Sequence, residues 1–480
     1  MNEKKPNIIF ILSDDQGAWA LGCAGNHEII TPNIDGLAKR GMMFSNFYCV
    51  SPVCSPARAS LLTGKIPSQH GVHDWITHNN NAEISSIDFL EGQICYTDIL
   101  KKHGYVCGLS GKWHLGNSLV PHKSFDHWYA HTGGGGPYYN APMVKDGVIA
   151  RDPRYITDLI TDDAIGFIKK CTYEGKPFYL SVNYTAPHSP WLNNHPKEYL
   201  DLYKDCPFET CPQEKEHPFS IFLTKEVAKD IRGNLTGYFA SVTAMDANIG
   251  RIISTLEELS VLENTVVIFS SDNGFSCGQH GFWGKGNGTY PLNMYETSVK
   301  VPFIISHPGH IKENEKCDMV LSAYDFMPTL LDYLNISNQS DANLPGKSFA
   351  PLLCGENCDC ENQAVVFNEY GPVRMIRQGD WKFIKRYPYG PNELYNLMRD
   401  PGEKENQVNE KPYLNIAREM NEILERWFDR YVIRELDGSR LPVFGSGQLC
   451  RPSYSCSPDE IFFCDDYIKE TEFYKSSNNF

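Results

Sequence analysis

The sequence lacks both a long hydrophobic run and an excess of positive charge. No stretch approaches the roughly 18 consecutive apolar residues that a membrane-spanning helix needs, and the apolar run near the N-terminus covers only Ile8–Leu12. The 480 residues carry a formal net charge of −15 at pH 7. Since no basic stripe is present to neutralise phosphates, we expect a protein that binds neither nucleic acid nor membranes.

A secretion leader is also missing. The segment M-N-E-K-K-P is followed by an apolar run that is too short for the hydrophobic region of a signal peptide, and that run ends in two aspartates. We therefore expect a cytoplasmic protein, although a chain from which a leader had been trimmed would look the same.

The sixteen cysteines form no pattern that is typical of a metal site. Neither the near pair Cys206 and Cys211 nor the group Cys354, Cys358 and Cys360 is completed by partners at zinc-finger spacing. Because the cysteines are scattered and no leader precedes them, we interpret them as free thiols rather than as disulfides.

What the sequence does contain is an alternation of apolar runs and helical patterns. The runs are continuous, which favours strands that are buried on both faces of a sheet. They are Asn7–Ser13, Tyr105–Ser110, Pro177–Asn183, Thr265–Ser271 and Val301–Ser306. Helical segments between them predict an α/β fold with a mostly parallel central sheet and flanking helices. After residue 364 the pattern changes to short strands and one helix, so we divide the chain into a catalytic domain, 1–364, and a smaller antiparallel subdomain with a tail, 365–480.

Polar residues follow four of the five predicted strands. They are Asp14 and Asp15 after the first, Lys112 and His114 after the second, His188 after the third, and Asp272 and Asn273 after the fourth. Ligands of open parallel sheets bind outside the carboxyl ends of the strands. The sequence therefore predicts one shared site at this edge.

The carboxylates at these strand ends predict a metal site. Asp14, Asp15 and Asp272 together with the amide oxygen of Asn273 form an all-oxygen set, which suits Ca²⁺ or Mg²⁺ and not zinc. Taken alone, the adjacent aspartates Asp14 and Asp15 are equally typical of a helix N-cap. Their pairing with a second strand end that carries D-N-G favours the metal.

The stretch S-P-V-C-S-P-A-R-A-S-L-L-T-G contains one cysteine, Cys54, between Pro52 and Pro56. A helical pattern follows, which places Cys54 at a helix N-terminus, where free N–H groups favour an anion. Arg58 lies about one turn further on and can reach the same anion. The alternative is that Cys54 is simply a small buried residue.

Further candidates carry the chemistry and line the mouth of the site. Lys112, His114, His188 and Lys285 lie in glycine- and proline-rich segments beside tryptophans and are candidates for binding or protonating the anion. The substrate-rim candidates are His73, Asp74, Trp75, Trp191 and His280, which are equally compatible with ordinary packing. The run H-T-G-G-G-G-P-Y-Y lacks a P-loop lysine, so we interpret it as a flexible rim.

These motifs resemble the formylglycine-dependent sulfatases. C-S-P-A-R-A-S-L-L-T-G is similar to the family signature, and K-P-N-I-I-F-I-L-S-D-D-Q, G-K-W-H-L-G, S-S-D-N-G and G-K-G follow in the family's order. The resemblance implies an alkaline-phosphatase-like fold. It also implies that a maturation enzyme oxidises Cys54 to formylglycine, whose hydrated gem-diol attacks sulfur and later expels sulfate.

The resemblance implies a role for each site residue. Ca²⁺ is expected on Asp14, Asp15, Asp272, Asn273 and the converted Cys54. Arg58 and His114 are expected to steady the diol or take its second proton. Lys112, Lys285 and His188 are expected to bind sulfate oxygens or protonate the leaving alcohol.

Three functions remain open from the sequence. The first is hydrolysis of a sulfate ester, expected to be a small-molecule or oligosaccharide sulfate. The second is a phosphonate monoester hydrolase or phosphodiesterase of the same fold. The third is an unmatured protein that binds only metal and anion.

Overall fold

The computed structural model describes residues 5–77, 86–337, 343–358, 365–452 and 457–470. Within these ranges the strands are β1 Asn7–Ser13, β2 Met42–Tyr48, β3 Val106–Lys112, β4 His127–His131, β5 Pro142–Lys145, β6 Val148–Arg151, β7 Phe178–Asn183, β8 Thr265–Ser271, β9 Ser276–Cys277, β10 Trp283–Gly284, β11 Lys300–Ser306, β12 Glu315–Ser322, β13 Val365–Tyr370, β14 Val373–Gln378, β15 Trp381–Arg386 and β16 Glu393–Asn396.

The helices lie mostly between strands. They are α1 Pro32–Lys39, α2 Cys54–Thr63, α3 Pro67–His70, α4 Tyr96–Lys102, α5 Ile156–Tyr173, α6 Lys197–Asp201, α7 Phe222–Val227, α8 Ile231–Glu258, α9 Glu296–Val299, α10 Phe326–Tyr333, α11 Ala350–Leu353, α12 Leu414–Tyr431, α13 Pro458–Ile461 and α14 Asp466–Glu470. None of the helices in the described part of the chain is long and apolar enough to cross a lipid bilayer.

Ten strands form one large sheet in the order β12-β2-β11-β8-β1-β7-β3-β4-β5-β6. The centre is parallel, because β1 pairs in parallel with β7 and β8, and β3 pairs in parallel with β7 and β4. β11 runs antiparallel to both β8 and β2. This arrangement confirms the predicted α/β fold with a mostly parallel sheet.

Helices cover both faces of this sheet because its central strands are apolar on both sides. Alternate residues of β1 point to opposite faces. Ile9 and Ile11 pack in one core cluster with residues of α1, α5 and α8, while Ile8, Phe10 and Leu12 pack in another with residues of α2, α4 and α10. β1 is consequently buried along its whole length.

A second sheet follows, with β13 to β16 in antiparallel order. Helix α12 packs on β14 and β15, so the predicted small antiparallel sheet with a helix is confirmed. The division of the chain into two domains at residue 365 stays a prediction.

The free-thiol prediction holds for several cysteines and fails at one. Cys206, Cys211 and Cys354 carry free thiols. Cys358 is disulfide-bonded, so for this residue the prediction was wrong. Cys360 lies outside the described residues.

Candidate active site

The parallel centre of the sheet brings the predicted polar residues to one edge. β1 leads directly into Asp14 and Asp15, β3 ends at Lys112, and β8 leads into Asp272 and Asn273. Parallel strands end at the same edge of a sheet. Residues far apart in the sequence therefore become neighbours here.

The acidic residues form a compact buried group with the cysteine. Asp14, Asp15, Asp272 and Cys54 each offer a ligand atom, and these atoms all lie within 4.8 Å of one another. All four residues are buried. Asp15 has a left-handed backbone with φ of 64°, which is costly for a non-glycine residue and occurs mainly at functional sites.

Each of the three carboxylates is paired with one buried cation. The Nζ of Lys112 lies 2.5 Å from Oδ2 of Asp14, and the Nζ of Lys285 lies 2.5 Å from Oδ1 of Asp15. All four side chains of these two pairs are buried, with at most 9% of their surface exposed. Three negative and three positive charges balance, so the site without a bound ion is close to neutral.

The third pair joins Arg58 to Asp272. The guanidinium donates from Nε to Oδ2 over 2.9 Å, and its Nη2 lies 2.8 Å from the same oxygen. Burial alone raises the pKa of Asp272, but Arg58 and Lys112 outweigh it and hold that pKa below its usual value. Asp272 is therefore ionised, as a metal ligand must be.

One buried oxygen beside the three carboxylates, on the Asn273 side chain, accepts no hydrogen bond. The Nδ2 of Asn273 donates to Oδ1 of Asp15 over 2.8 Å, which holds the amide among the carboxylates. The other end of the amide, Oδ1, is buried without a hydrogen-bond partner. A buried acceptor left unpaired is costly, and beside three carboxylates it completes a hard oxygen donor set. The residues therefore fit Ca²⁺ or Mg²⁺.

Cys54 is the first residue of α2, as the sequence predicts. Its Sγ lies 2.8 Å from Nζ of Lys285 and donates to Oδ1 of Asp14 over 3.3 Å. Burial and the Asp14 carboxylate raise the pKa of the thiol far above its ordinary value. The unmodified side chain is thus a protonated thiol and a poor nucleophile at neutral pH.

Ser55 and Arg58 lock the first turn of α2 to the rest of the site. The Ser55 hydroxyl donates to the carbonyl of His114 over 2.9 Å and accepts from the N–H of Ile76 over 3.0 Å. Nη1 of Arg58 donates to the carbonyl of Lys112 over 3.2 Å. Sequence reasoning missed this role of Ser55.

His114 is a neutral base rather than a cation. Burial, followed by the charges of Lys112 and Arg58, holds its pKa well below the usual value. Its Nε2 makes a 3.0 Å hydrogen bond to the carbonyl of Ile76, so Nε2 carries the proton. Nδ1 is then an acceptor, and it is buried without a partner.

His188 lies at the open side of the group. Its Nε2 is 3.6 Å from Oδ2 of Asp15, and the side chain is 24% exposed. Its Nδ1 lies 2.7 Å from the carbonyl of Ser189 and donates to it, which leaves Nε2 directed to the acidic group. The ring is thus held by one nitrogen and can exchange a proton at the other.

A cavity of about 300 Å³ opens above these groups. The residues that line it are Cys54, Trp75, Ile76, Thr77, His114, Gly116, Thr132, Gly133, Gly134, Gly135, His188, Lys285 and Asn287. A thiol, two histidines and a lysine thus face a space large enough for a small ligand.

Of the predicted rim residues, Trp75 lines this cavity. The other four are not among its lining residues. Asp74 is buried and accepts from the hydroxyl of Tyr370 and from the N–H groups of Gly445 and Gly447. His73 is fully buried beside it.

Trp191 and His280 are engaged elsewhere. Trp191 is 3% exposed and packs edge-on against aromatic rings of the core, among them Tyr238 and Phe275. The His280 ring stacks on Tyr295 with centroids 3.9 Å apart. Both positions correspond to the packing alternative that the sequence left open.

The glycine-rich segment is a wall of the cavity. A Cβ built on Gly134 would overlap the imidazole of His114, and one built on Gly135 would lie 2.6 Å from Cε1 of His188. The absence of side chains lets the segment cover both histidines. The run of glycines was visible in the sequence, but its neighbours were not.

Comparison with known proteins places the chain among enzymes of one chemistry. A family model described as Sulfatase matches residues 6–336, and one described as N-sulphoglucosamine sulphohydrolase, C-terminal, matches residues 278–430. An N-acetylglucosamine-6-O-sulfatase of Bacteroides thetaiotaomicron is 29% identical over 92% of this chain and 89% of its own length.

Solved structures agree with this assignment. A protein in complex with its substrate D-glucosamine-2-N,6-O-disulfate has a TM-score of 0.76 and 27% identity, with 90% of this chain and 99% of that chain covered. The phosphonate monoester hydrolase of Agrobacterium radiobacter, with a TM-score of 0.69, 18% identity and coverage of 89% and 96%, shares the fold alone. The match over residues 6–336 shows that the chain belongs to the sulfatase family and is an enzyme that hydrolyses sulfate esters.

Proposed function

We propose that this sulfatase removes sulfate from a carbohydrate sulfate ester, using a formylglycine made from Cys54 and a bound Ca²⁺. The observation that carries the proposal is the position of Cys54. Its Sγ lies 2.8 Å from Lys285 and within 4.8 Å of three carboxylates, at the inner end of a cavity. Charged groups of this kind favour binding of a charged ester, whereas an inert thiol needs none of them.

The metal would be held by Asp14, Asp15, Asp272 and Asn273, together with the converted side chain at position 54. The unpaired Oδ1 of Asn273 and the three carboxylates support this set. When bound, Ca²⁺ supplies positive charge that polarises the sulfate group and favours ionisation of the nucleophile. Mg²⁺ offers the same chemistry on the same oxygens.

The conversion of Cys54 requires a maturation enzyme. In net terms the thiol and one water give the aldehyde, hydrogen sulfide and two hydrogen equivalents, which an oxidant bound by that enzyme must accept. Once hydrated, the aldehyde supplies a hydroxyl group that can attack sulfur and a second that allows sulfate to be released.

The cations and histidines of the chain then have distinct tasks. Lys285, which lines the cavity, and the buried Lys112 would balance charge that develops on the sulfate oxygens. Nδ1 of His114 accepts a proton from the converted side chain, because the other ring nitrogen is held by Ile76. Nε2 of His188, at the open side, donates a proton to the departing alcohol oxygen.

The charge balance of the site supports an anionic substrate. Three carboxylates and three cations cancel, so a bound divalent ion leaves two positive charges in excess. A sulfate monoester carries one negative charge, and the released sulfate ion carries two. With the released sulfate ion bound, the net charge of the site would therefore be close to zero, which limits the cost of burying these charges.

The test combines mass with catalysis. The peptide that contains Cys54 is expected to weigh about 18 Da less than its thiol form, because CH₂–SH is replaced by an aldehyde. Purified enzyme is then assayed for sulfate released from sulfated mono- and disaccharides and for phosphonate monoester hydrolysis. A peptide with the unchanged thiol mass, taken from fully active enzyme, would contradict the formylglycine mechanism. Faster turnover of the phosphonate would instead favour the hydrolase alternative.

A further inference from the structure

The wall of the cavity differs in character from its inner end. Apart from the reacting groups, the side chains that line it are Trp75, Ile76, Thr77, Thr132 and Asn287, and the rest of the described lining is glycine. None of these side chains is ionisable in the physiological range. The part of the cavity that receives the alcohol portion of the ester is therefore electrically neutral.

Apart from the reacting groups, the described lining contains no lysine, arginine or histidine that could pair with a further negative charge. The cations of the site itself are already engaged, Lys112 by Asp14 and Lys285 by Asp15. A second sulfate or a carboxylate on the substrate would thus be enclosed without a partner, which is costly.

A positively charged alcohol is disfavoured for the corresponding reason. The described lining contains no carboxylate, and the acidic group beneath it is paired with cations. Quaternary ammonium ions are recognised by cages of several aromatic rings, whereas Trp75 is the single aromatic side chain in the described lining.

What the wall does offer is suited to a neutral sugar. The indole Nε1 of Trp75 is held by the carbonyl of Gly445 over 3.1 Å, which fixes the orientation of the ring. An immobile aromatic surface can pack against the C–H face of a pyranose. Asn287 is fixed by the same carbonyl over 3.0 Å through Nδ2, so its Oδ1 can accept from a sugar hydroxyl. Thr77 and Thr132 add two hydroxyl groups.

The size of the cavity limits how much sugar it encloses. Its volume of about 300 Å³ lies at the lower end of the range for small-molecule sites. One ring with its sulfate group can be enclosed, whereas a chain of several rings cannot.

We propose that the substrate of this site is a single neutral sugar ring, free or at the end of a chain, that carries one sulfate ester and no other charge. This inference rests on the proposed function, since it assigns the alcohol portion of the same ester. An N-acetylated or unsubstituted hexose monosulfate has this chemistry, whereas an N-sulfated or free amino sugar does not.

The experiment compares sugars that differ at one position. Glucosamine and galactosamine monosulfates are supplied with an acetyl group, a sulfate group or a free ammonium at C2, and sulfate release from the O-sulfate is measured. Enzyme with confirmed conversion of Cys54 is used. We expect kcat/KM for the N-acetyl form to exceed that of both charged forms by about 10- to 100-fold.

A pair of variants places a charge in the wall. Thr132→Lys is expected to shift the preference toward the N-sulfated sugar by about tenfold, because it supplies the missing cation. Thr132→Gln has a similar length without the charge and is expected to leave the preference unchanged. Thermal unfolding of both variants shows whether the fold is retained. The comparison of the three sugars with the wild-type enzyme tests the inference even if neither variant folds.

The outcomes separate this inference from the proposed function. If a charged form is hydrolysed as fast as the N-acetyl form, the neutral-sugar assignment is overturned although the enzyme is a carbohydrate sulfatase. If only an aryl sulfate is hydrolysed, both the sugar assignment and the carbohydrate proposal fail. If the two Thr132 variants shift the preference equally, charge in the wall is not what selects the substrate.

Discussion

Cys54 lies where a thiol is chemically unfavourable, next to Asp14 and beneath a cavity. Replacing it with alanine removes one sulfur atom and leaves the rest of α2 unchanged. We expect Cys54→Ala to abolish sulfate release while the thermal midpoint stays close to that of the wild type. Kinetics and thermal unfolding on the same preparation measure both. Substantial residual sulfate release from the variant would contradict the proposed nucleophile.

Cys171 provides the matched control for this variant. It is a free, buried cysteine in α5 that belongs to the apolar core and not to the site. Cys171→Ala is expected to lower stability by about 1–2 kcal/mol through lost packing, and to keep the activity. The two variants together separate the loss of a thiol from the loss of the reacting group.

Removal of the proposed metal is a second test at the scale of single residues. A chelator is expected to stop sulfate release without unfolding the protein, because Lys112, Lys285 and Arg58 balance the three carboxylates. Added Ca²⁺ or Mg²⁺ is expected to restore activity. Binding of the ion is also expected to raise the free energy of unfolding by about 2.7 kcal/mol when the free ion is at 100 times its Kd.

The control for this experiment is Asn273→Leu, which removes the unpaired acceptor Oδ1 at similar volume. We expect the variant to need more Ca²⁺ for the same stabilisation. Activity and thermal midpoint that are both indifferent to chelation would overturn the assignment of these ligands.

The residues at the strand ends could be predicted from the sequence, because a parallel sheet places those ends together whatever the remaining topology. Asn287 could not, since it reaches the cavity only through tertiary packing. Thr132 stands in the glycine-rich run that the sequence analysis interpreted as a rim, but its neighbours in the cavity could not be predicted. His73 and Asp74 follow the signature helix closely in the sequence. The chain turns them inward, where Asp74 accepts hydrogen bonds from the tail.

Among the elements, the glycine segment gives the sharpest prediction. A methyl group at Gly134 must displace the imidazole of His114, and one at Gly135 must displace His188. A shift of about 1 Å in a reacting group can cost about 100-fold in rate. We therefore expect Gly134→Ala and Gly135→Ala each to lower kcat by about that factor, measured as sulfate release at saturating substrate.

Gly36→Ala is the matched control. A Cβ at Gly36 meets nothing within 4 Å, and the residue lies inside helix α1. There alanine is favoured over glycine by about 0.5–1 kcal/mol. We expect unchanged activity and equal or higher stability. Full activity of the Gly134 variant would show that the segment can move away from His114.

The junction of α8 with α1 should be sensitive to pH. The buried carboxylate of Asp246 accepts from the N–H groups of Asn33 and Ile34. Burial raises the pKa of Asp246 to about 6, against an ordinary 3.8, although these hydrogen bonds lower it. The folded state thus holds the proton more tightly than the unfolded state between these two values.

The sign of the effect follows from that difference. The contribution of Asp246 to the free energy of unfolding is highest below pH 4, falls as the pH rises to about 6, and is constant above. The total fall is of the order of 2–3 kcal/mol. Denaturant unfolding at pH 4.5 and pH 7 should show a larger fall in the wild type than in Asp246→Asn. Equal falls in both would contradict the raised pKa.

The central strands could be predicted from the sequence and the edge strands could not. β1 and β8 are buried along their length and read as continuous apolar runs, so both were predicted with their observed bounds. β12 lies at the edge of the sheet and reads E-K-C-D-M-V-L-S. Its exposed first half carries charges that conceal it in the sequence. β2, the neighbour of β12, carries no charge, but the polar residues Ser45 and Asn46 interrupt its apolar run M-M-F-S-N-F-Y, and it was missed.

Across the whole molecule, the second sheet is joined to the first by buried charges. Lys382 of β15 is fully buried and pairs with Glu296 of α9 over 3.0 Å and with Glu403 over 2.7 Å. Glu296 in turn accepts from the hydroxyl of Tyr48 at the end of β2. A buried charge is tolerated only with such partners, so these contacts fix the small sheet against the large one.

The chain then returns to the active site after α12. Gln448 is buried and lies beside the segment that carries Trp75. Its Oε1 accepts from the N–H groups of His73 and Asp74 over 2.7 and 3.2 Å. Its Nε2 donates to the carbonyls of Gly71 and Cys450, each over 2.9 Å. One side chain therefore connects the tail to the cavity wall. Sequence reasoning had assigned this tail no role, since a contact across more than 370 residues leaves no periodic signal.

Gln448→Leu keeps the volume and removes all four hydrogen bonds. Each buried group left unpaired costs about 1–3 kcal/mol, so the variant should unfold at a lower temperature. Because Trp75 lies on the freed segment, KM for the sugar sulfate should rise more than kcat falls. Gln378→Leu, on a hairpin of the second sheet and away from the cavity lining, is the control and should change neither constant. If Gln448→Leu loses stability but binds substrate as before, the side chain of Gln448 supports only the fold, and the backbone hydrogen bonds of this residue to Trp75 and Thr77 are enough to hold the wall.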